Sequence, residues 1–103
     1  MLKLRLNPLA LQDLKEIKSY ISIDLDNSIA AKRLIEKIIK RYEHLAEQPF
    51  IGALLSNIID FNTDYRYLVV ENYIIFYKVD ENFVSIYRIL YGSRDYMKIL
   101  SDE

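Results

Sequence analysis

The side chains best placed by type to do chemistry are three arginines, a tyrosine and a lone histidine. Tyr91-Gly92-Ser93-Arg94-Asp95 sets a phenol, a flexible glycine and an Arg-Asp pair where the last strand-like run ends. An arginine can hold negative charge that develops on an oxygen, and a phenol can pass a proton. The bland alternative is a strand-to-helix turn, with Asp95 at a helix start and paired locally with Arg94. The residues alone leave both readings open. Arg66 begins the run YRYLVV, where an edge-strand arginine is ordinarily solvated. Arg88 stands among apolar neighbours in SIYRIL, so its head group must reach solvent or find a carboxylate. His44, between Glu43 and Glu47, has no placed serine nucleophile or second histidine and reads as a surface residue.

The elements that carry these residues follow from periodicity. Residues 2–6, LKLRL, alternate and predict a short strand with Leu2, Leu4 and Leu6 facing inward. Asn7-Pro8 is a helix start, because Asn caps free N–H groups and Pro lacks only a bond it would not make. Ala10, Leu14, Ile17 and Ile21 then form one helical stripe. Asp24–Ser28 interrupts it and offers Asp26 or Asn27 as a second cap. Ala31, Leu34, Ile35, Ile38, Tyr42 and Leu45 continue as the stripe of a longer helix, ended by Pro49. The pair reads as an antiparallel helical hairpin.

Residues 50–64 have no clear period and are expected to form a loop around Gly52. Three strand-like runs follow at 65–71, 73–79 and 83–91, separated by Glu71-Asn72 and Asp80-Glu81-Asn82, a pattern for an antiparallel meander. Arg94–Leu100 is expected to add a helical turn or two. The order β-α-α-β-β-β-(α) implies an α+β, two-layer domain with the helices on one face of a small, largely antiparallel sheet.

Composition removes several classes of function. The 103 residues suit one domain, 1–103, with a modest core. The absence of cysteine excludes disulfides, thiolate nucleophiles and Cys-based zinc sites. No metal or cofactor is implied. With no bilayer-length apolar run and no signal-peptide core, the expected location is the cytoplasm. Fourteen basic against fifteen acidic side chains give a net charge of −1. Nucleic-acid binders normally carry a basic excess, so wholesale docking on RNA or DNA is disfavoured. Nine Tyr and four Phe make a heavy aromatic load. Core packing plus a protein interface accounts for it more cheaply than a base-stacking platform.

The run YRYLVVENYIIFYKVDENFVSIYRILYGSRDYMKIL, preceded by NPLALQDLKEIKSYI and NSIAAKRLIEKI, closely resembles the RelE/ParE superfamily of type II toxin–antitoxin toxins. The resemblance covers nearly the whole chain and implies the same element order. It also implies a growth-inhibiting toxin held by a cognate antitoxin, with two possible mechanisms. RelE-like members are ribosome-dependent mRNA endonucleases; ParE-like members poison DNA gyrase by binding it. Carried over residue by residue, the RNase pattern meets Arg66 and Arg94 but finds Leu68 and Ile74 where basic residues are expected. Leu100 stands where a tyrosine is expected, and of a His-Tyr pair at the last strand's end only Tyr91 is kept. Tyr91 and Arg94, with Arg66, would form a reduced RNase site if the chain were an enzyme. The missing groups and the acidic balance favour the ParE-like branch, with Arg66, Arg88, Arg94, Tyr96 and the C-terminal tail as target- or antitoxin-contact candidates. A non-toxic relic that only binds its antitoxin is the third possibility.

Overall fold

Residues 1–60 and 62–101 are described by a computed structural model. Strand β1 (Lys3–Leu6) leads into helix α1 (Pro8–Ser19), whose first turn is capped by Asn7: its Oδ1 accepts from the Leu9 N–H at 2.9 Å. The helix closes through a wider π-helical turn, Tyr20–Asp24, in which the Leu25 N–H reaches back to the Tyr20 carbonyl. Asn27, not Asp26, caps helix α2 (Ser28–Glu43) by accepting from the Ala30 N–H. Asp26 instead takes the left-handed conformation, φ 50°, that turns the chain between the helices. His44 ends α2 as an exposed residue.

The meander is β3 (Arg66–Val70), β4 (Tyr73–Val79) and β5 (Phe83–Tyr91). Within the stretch expected to be an irregular loop, Ala53–Leu54 forms a two-residue strand, β2, paired with Tyr67 and Arg66. Among the described residues the sheet runs β1-β5-β4-β3-β2, with β1 parallel to β5 and the other pairs antiparallel. Helix α3 (Tyr96–Ser101) completes the α+β fold.

The helical hairpin packs on one face of the sheet, where Leu14, Ile17, Leu34 and Ile38 meet Leu68, Ile75, Tyr77 and Ile86. The other face carries a smaller cluster, with Leu55 and Leu100 against Tyr65, Phe76 and Leu90. Strand β5 cannot alternate strictly to serve both. Its register skips Tyr87, so Tyr77 opposes Ile86 while Phe76 opposes Arg88. That bulge brings Ile86 and Ile89, three residues apart, onto the helix side together.

Candidate functional site

A groove of about 700 Å³ opens where α1, the π-helical turn and the start of α2 meet the β3–β4 turn and the end of β5. Its floor is apolar, from Ile17, Ile21, Leu34 and Ile89, and Tyr20, Tyr73 and Tyr91 stand around it. The register aligns Tyr73 with Tyr91, and their rings meet edge-on with centroids 5.5 Å apart. Burial pushes the Tyr73 hydroxyl above its ordinary range, with smaller contributions from Tyr91 and Tyr20. Tyr73 therefore keeps its proton and presents a hydrogen-bond donor on an apolar wall. The groove's outer lip is apolar too: Ile23 is 72% and Ile29 85% exposed, beside exposed Tyr20 and Leu25.

Two cationic points border the groove. Arg94 lines it where the chain leaves β5. Its backbone N–H donates to the Tyr91 carbonyl at 3.0 Å, which keeps the two residues together. Asp95 serves the helix start, accepting from the Lys98 N–H, as the bland reading of this segment anticipates; no Arg94–Asp95 ion pair forms among the described residues. At the β3–β4 turn Arg33 and Lys37 converge on one Glu71 oxygen at 3.1 and 3.2 Å. The two donors hold the Glu71 carboxyl below its usual range. Glu71 adopts φ 53°, a left-handed conformation in the two-residue turn that the sequence assigns more naturally to Asn72.

The groove wall contains the carboxylate that Arg88 requires. Asp13 accepts from Arg88 Nε at 2.8 Å and Nη2 at 2.9 Å, and also from the Ile89 N–H at 2.9 Å. Both side chains are largely buried, 5% exposed for Asp13 and 14% for Arg88. Arg88 therefore joins α1 to β5 as an internal ion pair. Asp13 is the residue that sequence reasoning passed over, although an acid between Ala10 and Ile17 on a helical stripe was a usable signal.

Arg66 lies elsewhere. It is at the start of β3, and Glu71 follows its end, so the strand separates Arg66 from the groove's edge by on the order of 13 Å. Its Nη1 donates to the Gly52 carbonyl at 2.8 Å, and its guanidinium sits over the Phe50 ring at 4.9 Å. Tyr77, fully buried, braces the same loop by donating to the Pro49 carbonyl and accepting from the Gly52 N–H, both at 2.9 Å. Tyr96 belongs to the second face, its ring 5.2 Å from Phe76. The fold thus unites Tyr91 with Arg94, and places Arg66, Arg88 and Tyr96 in three other environments. Of the C-terminal tail, residues 102 and 103 lie outside the described residues.

The positions that depart from the RNase pattern are filled by packing. Leu68 is buried toward the helices, Ile74 packs against the second cluster, and Leu100 is 4% exposed within it. Among the described residues no group of His, Cys, Asp or Glu is arranged to hold a metal ion, and no helix is long and apolar enough to cross a membrane.

A helical hairpin laid across a meander, with an open groove at one end, defines a small α+β fold. Residues 4–96 match the family described as the ParE toxin of the type II toxin–antitoxin system parDE. The chain belongs to that family. Its fold is similar to a solved structure titled as a chromosomal ParDE toxin–antitoxin system from P. aeruginosa, with a TM-score of 0.74 at 20% identity over 88% of this chain and 96% of that one. Among curated proteins none matches the sequence significantly.

Proposed function

We propose that this toxin-family chain arrests growth by binding its target rather than by cutting RNA, that the target is DNA gyrase, and that a cognate antitoxin neutralises it by occupying the tyrosine-rimmed groove. The observation that carries the binding reading is the loss of catalytic groups to the core. Leu68, Ile74 and Leu100 occupy the positions of two basic residues and a tyrosine, and none of the three can move a proton or stabilise a phosphorane. Each such group ordinarily contributes a factor of about 10²–10³, so their joint absence leaves little rate enhancement. The net charge of −1 is also poorly suited to docking on ribosomal RNA. Support for gyrase is narrower and comes from the ParE-like resemblance.

The groove supports the antitoxin assignment. An apolar floor, a tyrosine rim and exposed Ile23, Leu25 and Ile29 suit the apolar face of an amphipathic helix, and Arg94 is positioned for a carboxylate on its polar side. Much of such a segment is expected to order only on binding. Covering this surface is expected to make the complex more soluble than the free chain. Equal solubility, with identical amide protection around the groove, would contradict the assignment.

The deciding experiment follows thymidine and methionine incorporation in one culture after induced expression. Thymidine incorporation is expected to fall first, and purified protein then to inhibit gyrase supercoiling. An earlier collapse of methionine incorporation would overturn this reading in favour of an mRNA endonuclease, the rival supported by the adjacency of Tyr91 and Arg94. Tyr91→Phe and Arg94→Ala test that rival directly: each should abolish RNA cleavage if those side chains catalyse it. Growth that continues unchanged on induction would identify an antitoxin-binding relic.

A further inference from the structure

The loop before β2 is braced from inside the fold and apolar outside. The fully buried Tyr77 donates its hydroxyl to the Pro49 carbonyl and accepts from the Gly52 N–H, both at 2.9 Å. Arg66 Nη1 donates to the Gly52 carbonyl at 2.8 Å and reaches the Phe50 carbonyl at 3.5 Å. The Ile51 N–H turns back onto the Gln48 carbonyl. Space is as restricted as bonding, since a Cβ at Gly52 would lie 2.8 Å from the Tyr77 ring. Yet the two residues inside this brace show their side chains to water, Phe50 being 64% and Ile51 45% exposed. Single exposed apolar residues are ordinary. Two adjacent ones on a backbone fixed by a buried phenol and a guanidinium make a preordered surface, which loses little freedom when a partner covers it.

Charge specifies what that partner offers. The Arg66 guanidinium lies 4.9 Å over the Phe50 ring, so ring and cation form one surface. Its Nη1 is occupied by the two carbonyls, while Nε and Nη2 have no hydrogen-bond partner among the described residues. Arg41, in the last turn of α2, is near enough to the Tyr77 hydroxyl to favour its ionisation, as Arg66 is. Neither arginine pairs with a carboxylate among the described residues, whereas Arg33, Lys37, Lys78 and Arg88 all do. Two uncompensated guanidiniums beside an apolar pair call for a carboxylate next to an apolar recess. A second copy matches poorly, because two-fold pairing would set these arginines against their own equivalents. A nucleic-acid strand matches poorly too, since Ile51 offers no stacking face and the chain carries a net charge of −1.

We propose that Phe50, Ile51 and Arg66, with Arg41 beside them, form the surface by which the chain grips its growth target, a protein presenting an apolar recess bordered by a carboxylate. This rests on the reading of the chain as a toxin that acts by binding. Phe50 and Ile51 fill the recess, and the free edge of Arg66 takes the carboxylate. The patch is separate from the antitoxin groove, since Arg66 at the start of β3 is on the order of 13 Å from the groove's edge. A protein interface of standard size covers about 800 Å² on each partner, roughly 30 Å across, so one target footprint spans both places. An antitoxin seated in the groove therefore excludes the target by overlap, without touching Phe50.

The test uses the full chain, induced in cells and titrated with the co-encoded antitoxin. The double variant Phe50→Ala with Ile51→Ala removes exposed side chains and none of the backbone bonds of the brace. It is expected to raise the chain concentration at half-maximal growth arrest at least tenfold. Antitoxin affinity should stay within twofold of wild type, with an unchanged circular dichroism spectrum. Arg41→Gln should shift the arrest severalfold in the same direction. Arrest by the double variant at the concentration that suffices for wild type would overturn the proposal and leave the toxin reading in place. A matching loss of antitoxin affinity would give the patch to the antitoxin and overturn the proposal. So would self-association of the wild type that the double variant abolishes, which would give the patch to a second copy. A wild-type chain that never arrests growth removes the toxin reading and this proposal together. If wild type arrests growth but leaves purified gyrase active, only the choice of gyrase falls, and the growth assay still decides the patch.

Discussion

Asp13 and Arg88 form a largely buried ion pair. Removing one member of a largely buried ion pair strands its partner's charge, a loss usually worth about 3–5 kcal/mol, whereas replacing both by apolar groups is far milder. Asp13→Asn is therefore expected to lower the urea midpoint strongly, and Asp13→Leu with Arg88→Met to recover most of it. Equal losses in single and double variants would show that the pair is not the source of the stability. Tyr77 offers a pH test. Burial pushes its hydroxyl above the ordinary value of 10, partly offset by the Gly52 N–H and by Arg66 and Arg41. A raised pKa in the folded state stabilises the neutral phenol. Its contribution is full below pH about 10 and is lost as pH rises through the folded value. Ultraviolet titration should show Tyr77 among the last tyrosines to ionise, with Tyr77→Phe reducing the alkaline loss of stability. A tyrosine titrating normally at this position would contradict that account.

The elements are legible in the sequence to different depths. Asn7 caps as read, and of the two candidates Asp26 and Asn27 it is Asn27 that caps α2, so replacing either asparagine by Ala is expected to cost about 1 kcal/mol in thermal or chemical unfolding. The runs 73–79 and 83–91 are β4 and β5 with the same bounds. The short β2 is absent from the pattern because two residues carry no period. It exists because Tyr77 and Arg66 pin the preceding loop. Gly52 is the price of that pinning. A Cβ there would meet the Tyr77 hydroxyl and lie 2.7 Å from the Tyr67 carbonyl. Gly52→Ala should cost about 1–3 kcal/mol. A melt within error of wild type would show that the loop can move aside. In the β3–β4 turn, φ 53° at Glu71 favours glycine, while the cations favour the carboxylate. Glu71→Gly should consequently be less destabilising than Glu71→Ala in matched denaturant melts, since both lose the exposed ion pairs and only one keeps the strained backbone.

For the molecule as a whole, net charge conceals an uneven surface. Nearly balanced totals coexist with the Arg33–Lys37–Arg41 row and with an apolar lip at the π-helical turn. A partner is expected to cover the apolar lip, and amide exchange on the complex should report protection at Tyr20–Ile29. Protection confined to α3 and the second face would place the antitoxin elsewhere.

Local periodicity was enough to specify the two helices, the meander and their order, because each depends on residues close together in the chain. Even the choice facing Arg88, to reach solvent or find a carboxylate, was readable from its apolar neighbours. The identity of that carboxylate was not, since Asp13 lies 75 residues away. The same limit applies to β1, which joins the sheet beside β5 only after both helices have crossed it. It applies to the bulge at Tyr87, where strict alternation from Val84 would have put Ile86, Arg88 and Leu90 on one face. The gathering of Tyr20, Tyr73, Tyr91 and Arg94 around one groove, with Arg66 excluded from it, likewise depends on strand register and on helix-to-sheet packing. Those are set by contacts between distant residues, for which a periodic pattern along the chain holds no information.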